Sequence, residues 1–169
     1  MSDELLHDLV DQLRNRYYGK YRGIVEEVDE KTMRVKATVP AVLGGESSVW
    51  CMACVPYAGK GVGFCFLPEP GAGVWVEFER GDVEFPIWTG CFWFQDEVPD
   101  DAKAAVRVIV TASGAKLVFD DDAGEIRIED ANGASIVFDS SGVTTKRDSS
   151  SVAVSSSSVS VNDGALEVS

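Results

Sequence analysis

The stretch that decides the fold is residues 50–93, WCMACVPYAGKGVGFCFLPEPGAGVWVEFERGDVEFPIWTGCFW. Short apolar runs alternate in it with glycine and proline, the residues that most often form turns. Apolar runs of this length, bounded by such residues, are typical of β-strands. Four strands are therefore predicted, at residues 50–55, 63–67, 74–78 and 86–92.

The third of these strands shows how its side chains are divided between two faces. Because strand side chains alternate, Val74, Val76 and Phe78 are predicted to lie on one face, opposite Trp75. The Gly-Asp pair within residues 79–82 predicts a tight hairpin to the next strand.

Two more strand-like segments, residues 21–25 and 33–39, precede this stretch. Together the six segments predict an all-β fold that begins with a small closed barrel of five or six strands, over residues 20–94. In front of the barrel, residues 3–18 repeat leucine every four positions and predict an amphipathic helix in an N-terminal segment 1–19. A helix this short must pack on something, and its own barrel and a partner protein are both open.

The composition limits the classes of function. The chain has 169 residues, 45% of them hydrophobic, and a formal net charge of −13, which fits one domain or two small ones. A chain this acidic repels phosphate backbones, and this argues against nucleic-acid binding. No apolar run reaches the roughly 18 residues of a membrane span, and the acidic N-terminus does not resemble a secretory signal peptide. We therefore expect a protein made in a cytoplasm without a signal peptide.

Four cysteines, Cys51, Cys54, Cys65 and Cys91, lie in the strand-rich stretch. Cys51 and Cys54 form a C-x-x-C, which can be a redox pair or half of a zinc site. However, Cys65 and Cys91 form no second pair, and the single histidine, His7, is far away in the sequence. We therefore expect small, buried, apolar cysteines, with no metal site and no cofactor.

The sequence predicts no catalytic residues. The glycine-rich segment 59–63 does not have the spacing of a phosphate-binding loop. The aspartate runs at 100–101 and 120–122 do not have the spacing of a calcium loop and are typical of solvated turns. The expected function is therefore not enzymatic.

Beyond an acidic linker at residues 95–105, the segment 106–169 follows a different pattern. Pairs of β-forming residues two positions apart recur along it, separated by turns rich in Gly, Asp, Asn and Ser. These pairs are Val108/Val110, Leu117/Phe119, Ile126/Ile128, Ile136/Phe138, Val143/Thr145, Val152/Val154, Val159/Val161 and Leu166/Val168.

Each of these predicted strands offers only two inward side chains, too few for a core within one chain. Three chains around one axis would enclose every pair in a triangular prism, with residues such as Lys116 outside. A single-chain solenoid is the alternative, and disorder is the alternative for the serine-rich residues 149–169, although their regular V-x-V spacing argues against it. The predicted trimer core consists of Leu117, Phe119, Ile126, Ile128, Ile136, Phe138, Val143, Val152, Val154, Val159 and Val161.

Residues 20–94 resemble a known family in the order and spacing of their motifs. The most specific part is P-x-x-G-x-x-V-W-V-E-F at residues 68–78, followed by G-D at 81–82 and P-I-W-x-G at 86–90. Y-R-G-I-V at 21–25 is similar as well. The sequence resembles the baseplate central spike family of contractile tails, which includes the phage baseplate assembly protein V group and the OB-fold part of type VI secretion spikes. This resemblance implies an OB-fold barrel followed by a trimeric, triple-stranded β-helix.

The resemblance also implies a function. A homotrimer of this family is expected to plug the hub protein of a baseplate, in a phage virion or a tail-like particle, and to pierce the target cell membrane when the sheath contracts. A PAAR-like tip protein is expected to dock on the last turn and strand, formed by Asn162, Asp163, Gly164, Ala165, Leu166, Glu167, Val168 and Ser169.

The sequence departs from some members of this family. Residues 95–105 leave no room for the lysozyme domain that some members carry between barrel and needle. A His-x-His iron site at the tip, as in other members, cannot form because no histidine follows position 7. The alternative function is an OB-fold nucleic-acid-binding protein with an acidic β-repeat tail, since OB folds often bind nucleic acids through exposed aromatic residues.

Overall fold

The structure, a computed structural model, describes residue 10 and residues 16–168. The chain forms two compact units, Met1–Glu97 and Val98–Ser169. Almost all of the regular structure in the described residues is β-strand, which confirms the all-β prediction.

The first unit is a curled sheet with the strand order Arg34–Thr38 (β2), Tyr21–Asp29 (β1), Gly73–Phe78 (β6), Pro86–Phe92 (β7) and Met52–Ala53 (β3). A β-bridge between Val35 and Cys51, with hydrogen bonds in both directions, joins the two ends of this order and closes a small barrel. A bulge between Val25 and Glu27 bends β1, so that its first half pairs with β6 and its second half with β2. The elements are β1 (Tyr21–Asp29), β2 (Arg34–Thr38), a short helix α1 (Pro40–Leu43), β3 (Met52–Ala53), β4 (Ala58–Gly59), β5 (Val62–Gly63), β6 (Gly73–Phe78) and β7 (Pro86–Phe92).

The barrel has its own core. Val74, Val76 and Phe78 of β6 are buried, and Trp75 is only half-buried, so the alternation predicted for this strand is confirmed. Trp88 is also buried, and its indole Nε1 donates a hydrogen bond of 3.4 Å to the carbonyl of Met33. The complete core consists of Val25, Val35, Ala37, Val39, Cys51, Val74, Val76, Phe78 and Trp88.

Two local predictions in the barrel are wrong. Of the strand predicted at 63–67, only Gly63 is in a strand, because β4 and β5 form a short hairpin on their own. Phe64 and Phe66 beyond it are exposed and pack on each other, with ring centroids 4.8 Å apart. The hairpin predicted at residues 79–82 is wider than a two-residue turn: a 3₁₀ turn begins it, and Glu79 N donates to Phe85 O at 2.9 Å.

Most of the helix predicted at 3–18 lies outside the described residues. Val10 is helical, but residues 16–18 are not. The amide of Tyr17 instead donates a 2.8 Å hydrogen bond to the carbonyl of Gly81, and its ring packs near Phe78. A Cβ atom at Gly81 would lie 2.9 Å from the Tyr17 nitrogen, so this contact requires glycine. Residues 16–18 therefore enter the barrel without helical structure.

The expectation of buried cysteines holds for one of the four. Cys51 is buried in the barrel core, where burial raises the pKa of its thiol. Cys54, Cys65 and Cys91 are exposed, so the prediction is wrong for them. The C-x-x-C pair is split because a strand turns alternate side chains to opposite sides of the barrel wall.

The second unit is a single antiparallel sheet of eight strands in which each strand pairs with the next along the chain. Residues 150–161, the serine-rich segment, contribute two of these strands. The described residues therefore form neither a single-chain solenoid nor disordered chain. The strands are β8 (Val106–Val110), β9 (Lys116–Asp120), β10 (Glu125–Glu129), β11 (Ala134–Asp139), β12 (Gly142–Arg147), β13 (Ser150–Val154), β14 (Val159–Val161) and β15 (Leu166–Val168).

Aspartate side chains hold the turns of this sheet. Asp130 Oδ1 accepts hydrogen bonds from the amides of Asn132 at 2.8 Å and Ala134 at 2.7 Å. These bonds favour the carboxylate, so they lower the pKa of Asp130. At the next turn, Gly142 is required, since a Cβ there would lie 2.0 Å from the carbonyl oxygen of Val154. The Asp and Gly residues between the apolar pairs of the sequence therefore form the turns that separate the strands.

Candidate assembly interface

The register of the second unit arranges its apolar residues in two columns that cross the strands. Residues directly opposite each other in an antiparallel pair share a face, so the register shows which side chains lie together. The first column is Ile109, Leu117, Ile128, Ile136, Thr145, Val152, Val161 and Leu166. The second column is Arg107, Phe119, Ile126, Phe138, Val143, Val154, Val159 and Val168. We call the side of the sheet that carries both columns the column face.

The column face is exposed in the single chain. Phe119 is 40% exposed, Phe138 is 43% exposed and Val154 is 47% exposed. Monomeric proteins rarely expose continuous apolar surfaces of this extent, and such surfaces mark sites of association. The column face is therefore the candidate assembly interface.

The opposite side of the sheet, which we call the polar face, has different chemistry. Arg127 lies between two carboxylates, with Nη1 2.6 Å from Glu125 Oε1 and Nε 3.0 Å from Glu129 Oε1. The hydrogen bond that Arg127 donates to Glu125 is the main cause that raises the pKa of Arg127. Lys116, predicted to point outward, lies on this face and forms an ion pair with Asp101, which lowers the pKa of the Asp101 carboxyl. This face carries paired charges suited to water.

All eleven residues predicted for the trimer core lie in the two columns. The structure thus brings them to one face, and their burial by other chains remains a prediction. The pair Val108/Val110 does not join them, because Val108 pairs with Val118 on the polar face. Strand β8 contributes Ile109 to the column face instead, together with Arg107 at its end. In the VRVIV sequence of β8, one alternation is all valine and the other contains arginine, so the sequence alone favours the wrong face and the register with β9 identifies the inward side chains.

The residues predicted to dock a tip protein form the last turn and strand of the sheet. Asn162 and Asp163 have positive φ angles of 49° and 54°, and Asn162 Oδ1 accepts a 2.9 Å hydrogen bond from the amide of Ser151. Leu166 and Val168 in β15 are 61% and 64% exposed. Ser169 lies outside the described residues. Within the described part of the chain, β15 is an edge strand of the sheet.

The barrel presents a separate aromatic surface. A cleft of about 460 Å³ is lined in part by Arg22, Trp75, Phe92, Trp93 and Phe94. The guanidinium of Arg22 lies 5.7 Å from the ring centroid of Trp75 and 5.8 Å from that of Phe92. Trp93 is 63% exposed.

Two further observations concern site chemistry. Among the described residues, no three His, Cys, Asp or Glu side chains lie together as a metal would require. In the same part of the chain, no helix has the length and hydropathy needed to cross a bilayer.

Comparison with known proteins gives a consistent result for both units. Residues 21–93 match the family model described as the type VI secretion system/phage-baseplate injector OB domain. Residues 106–167 match the model described as the phage baseplate V C-terminal trimerisation domain. The type VI secretion system spike protein VgrG4b of Pseudomonas aeruginosa is 30% identical over 93 residues. That match covers 52% of this chain and 11% of VgrG4b, so the chain spans a small part of this relative.

Proposed function

The chain belongs to the baseplate spike family of contractile tails, and we propose that it forms the homotrimeric central spike of such a baseplate. Its OB domain and its trimerisation domain give it a structural role in the baseplate of a tail or tail-like particle. In the proposed assembly, three barrels plug the hub protein. The three C-terminal sheets form the needle that pierces the target cell envelope on contraction.

The column face is the observation that carries this proposal. It is an apolar surface spanning the whole sheet, and one chain leaves side chains such as Phe119, Val152 and Val154 40–47% exposed. Burying the remainder is worth roughly 1 kcal/mol for each side chain, since complete burial of a Val, Leu, Ile or Phe is worth about 1.5–3 kcal/mol. Three column faces packed around one axis would form a closed apolar core and leave the three polar faces in water. The trimerisation domain recognised at residues 106–167 supports this number of copies.

The net charge fits a needle that passes lipid headgroups. Each copy carries −13, which keeps the trimer soluble and disfavours adhesion to anionic membranes. The same charge disfavours the alternative function in nucleic-acid binding, although the cleft at Arg22 exposes aromatic rings. A gel-shift assay with single-stranded DNA at low salt tests this alternative, and we expect no shift.

The molar mass in solution tests the proposal directly. Light scattering coupled to gel filtration is expected to give a mass close to three times the chain's 18.2 kDa. A folded monomer with strong β-sheet signal would reject the trimeric spike.

We further propose that residues 162–169 dock a PAAR-like tip protein. The exposed edge of β15 supports this, because an unpaired strand edge accepts a partner strand or loop. Deletion of residues 162–169 is expected to abolish capture of the tip protein while leaving the trimer mass, less the deleted residues, intact. If the truncated trimer still captures the tip protein, docking takes place elsewhere.

A further inference from the structure

One polar residue interrupts the apolar columns. Among the described strands from β9 to β15, Thr145 is the one column residue with a hydrogen-bonding side chain. Its direct cross-strand neighbours are Ile136 and Val152, which offer no hydrogen-bonding group. Thr145 is exposed in the single chain. In an apolar core, its hydroxyl would need a partner from another chain.

Threefold symmetry supplies such a partner. This step rests on the proposed function, because it requires three copies around one axis. Equivalent residues then lie at the same level, so three Thr145 side chains face the axis together. A hydroxyl both donates and accepts, and three hydroxyls can therefore close a ring in which each donates to the next.

Within β12–β14, the other column residues are all valine and do not distinguish one level of the needle from the next. Within β12–β14, a slip of one chain by one hairpin would place valines of β12 at the level of valines of β14, at little cost in the packing of these strands. The column positions of β12, β13 and β14 other than Thr145 are Val143, Val152, Val154, Val159 and Val161. In the slipped arrangement, the Thr145 hydroxyl of that chain would lie at the level of Val161 of the other chains. It would then have no hydrogen-bonding partner. Buried polar groups are known to select register in this way in coiled coils.

We propose that the Thr145 ring fixes the axial register of the three chains over β12–β14. Register is weakly specified wherever successive positions are alike in size and polarity. Only the aligned arrangement gives each of the three hydroxyls a hydrogen-bonding partner. The ring therefore distinguishes this level of the needle from the others. Thr145 is thus a specificity-determining residue of the assembly, at some cost in stability compared with valine.

Spin-label distances in the full-length protein test this proposal. The parent carries Ser156→Cys as the label site, at an exposed position in the turn between β13 and β14, with Cys54, Cys65 and Cys91 changed to Ser. The parent is expected to give one narrow inter-label distance. Thr145→Val is expected to add a second, longer population while remaining a trimer. Thr145→Ser retains the hydroxyl and is expected to behave as the parent.

A relocated ring provides the matched control. The double variant Thr145→Val/Val152→Thr moves the hydroxyl by one strand within the same column, and we expect it to recover a single distance. If Thr145→Val keeps one narrow distance in a trimer, the register role is wrong while the trimer stands. If Thr145→Val alone loses the trimer and Thr145→Ser keeps it, the hydroxyl stabilises the assembly instead of selecting its register, and the register role is wrong. A monomeric parent would instead reject the proposed function itself, and the ring with it.

Discussion

In the barrel, one chain fully buries Val35, Val74 and Val76, whereas in the C-terminal sheet Phe119 and Phe138 remain at least 40% exposed. Both regions consist of β-strands with an apolar face, but the two apolar faces differ in whether the same chain covers them. The barrel curls until its own strands close around the core. The C-terminal sheet stays open, and we propose that other copies of the chain cover its column face. The difference teaches that a strand pattern predicts an apolar face but does not predict which chain covers it.

The largest effect is expected from a charge on the column face. Phe138→Asp would place three carboxylates in the core of the proposed trimer, and an unpaired buried charge costs several kcal/mol. We expect loss of the trimer, measured as a fall in molar mass by light scattering, with the barrel still folded.

Val137→Asp is the matched control for this change. Val137 is the neighbour of Phe138 on the same strand, but it lies on the polar face, opposite Arg127 and Thr144. A carboxylate there can approach Arg127, so the trimer should persist. It is a better control than a change of Lys116, which would remove an ion pair with Asp101. Equal tolerance of both substitutions would mean that the column face is not an interface.

The next effect concerns the barrel. Trp88→Ala removes a side chain that is 4% exposed and is expected to cost about 3–5 kcal/mol of the free energy of unfolding of the barrel. Because a single chain closes this core, the loss should not depend on protein concentration, whereas unfolding of a trimeric sheet should. Chemical denaturation at two concentrations measures both properties.

Trp93→Ala is the matched control in the same strand region. Trp93 is 63% exposed, so its removal should change barrel stability little. A barrel transition that shifts with concentration in the parent would contradict the idea that the barrel is complete within one chain.

The sequence predicted most of this contrast because alternation is a local property. The run Val74-Trp75-Val76-Glu77-Phe78 specifies its buried face without reference to other strands, and the structure confirms it. The repeated pairs from Leu117 onward likewise all reach one face. The family match to a trimerisation domain then supports the number of copies, which no strand pattern contains.

The wrong predictions concern residues whose position depends on pairing with other strands and not on the local sequence pattern. In β8, the alternation of Val106, Val108 and Val110 is the more apolar one, but pairing with β9 places Ile109 on the column face instead. Residues 64–67 have strand composition, but no neighbouring strand pairs with them in the structure. The exposed Cys54 and Cys91 are small enough to occupy either side of the barrel wall, so their burial depends on the closed barrel.

The smallest effect is expected from acidic pH, which protonates aspartate carboxylates that accept local hydrogen bonds in both regions. In the sheet, Asp139 Oδ1 accepts hydrogen bonds from Ser141 Oγ at 2.6 Å, Ser141 N at 2.7 Å and Gly142 N at 3.2 Å. In the barrel, Asp29 accepts from Thr32 Oγ1 at 2.6 Å and from Lys31 N at 3.0 Å. The hydroxyl bonds, followed by the amide bonds, lower the pKa of both carboxyls in the folded chain.

A lowered folded pKa gives a contribution to stability that is present above the ordinary pKa near 4 and is lost as the pH falls through the folded value. Asparagine keeps an accepting oxygen but does not titrate. Asp139→Asn should therefore reduce the acid-induced fall in Tm of the C-terminal sheet, and Asp29→Asn should do so for the barrel. Both effects should be small because both carboxylates are exposed to solvent. Thermal unfolding at pH 6 and pH 3, measured at two protein concentrations, separates the two effects. The Asp139→Asn effect should appear in the transition whose Tm depends on concentration. The Asp29→Asn effect should appear in the transition whose Tm does not. If both effects fall on one transition, the barrel and the sheet unfold together, and the contrast between a self-contained region and a shared one fails.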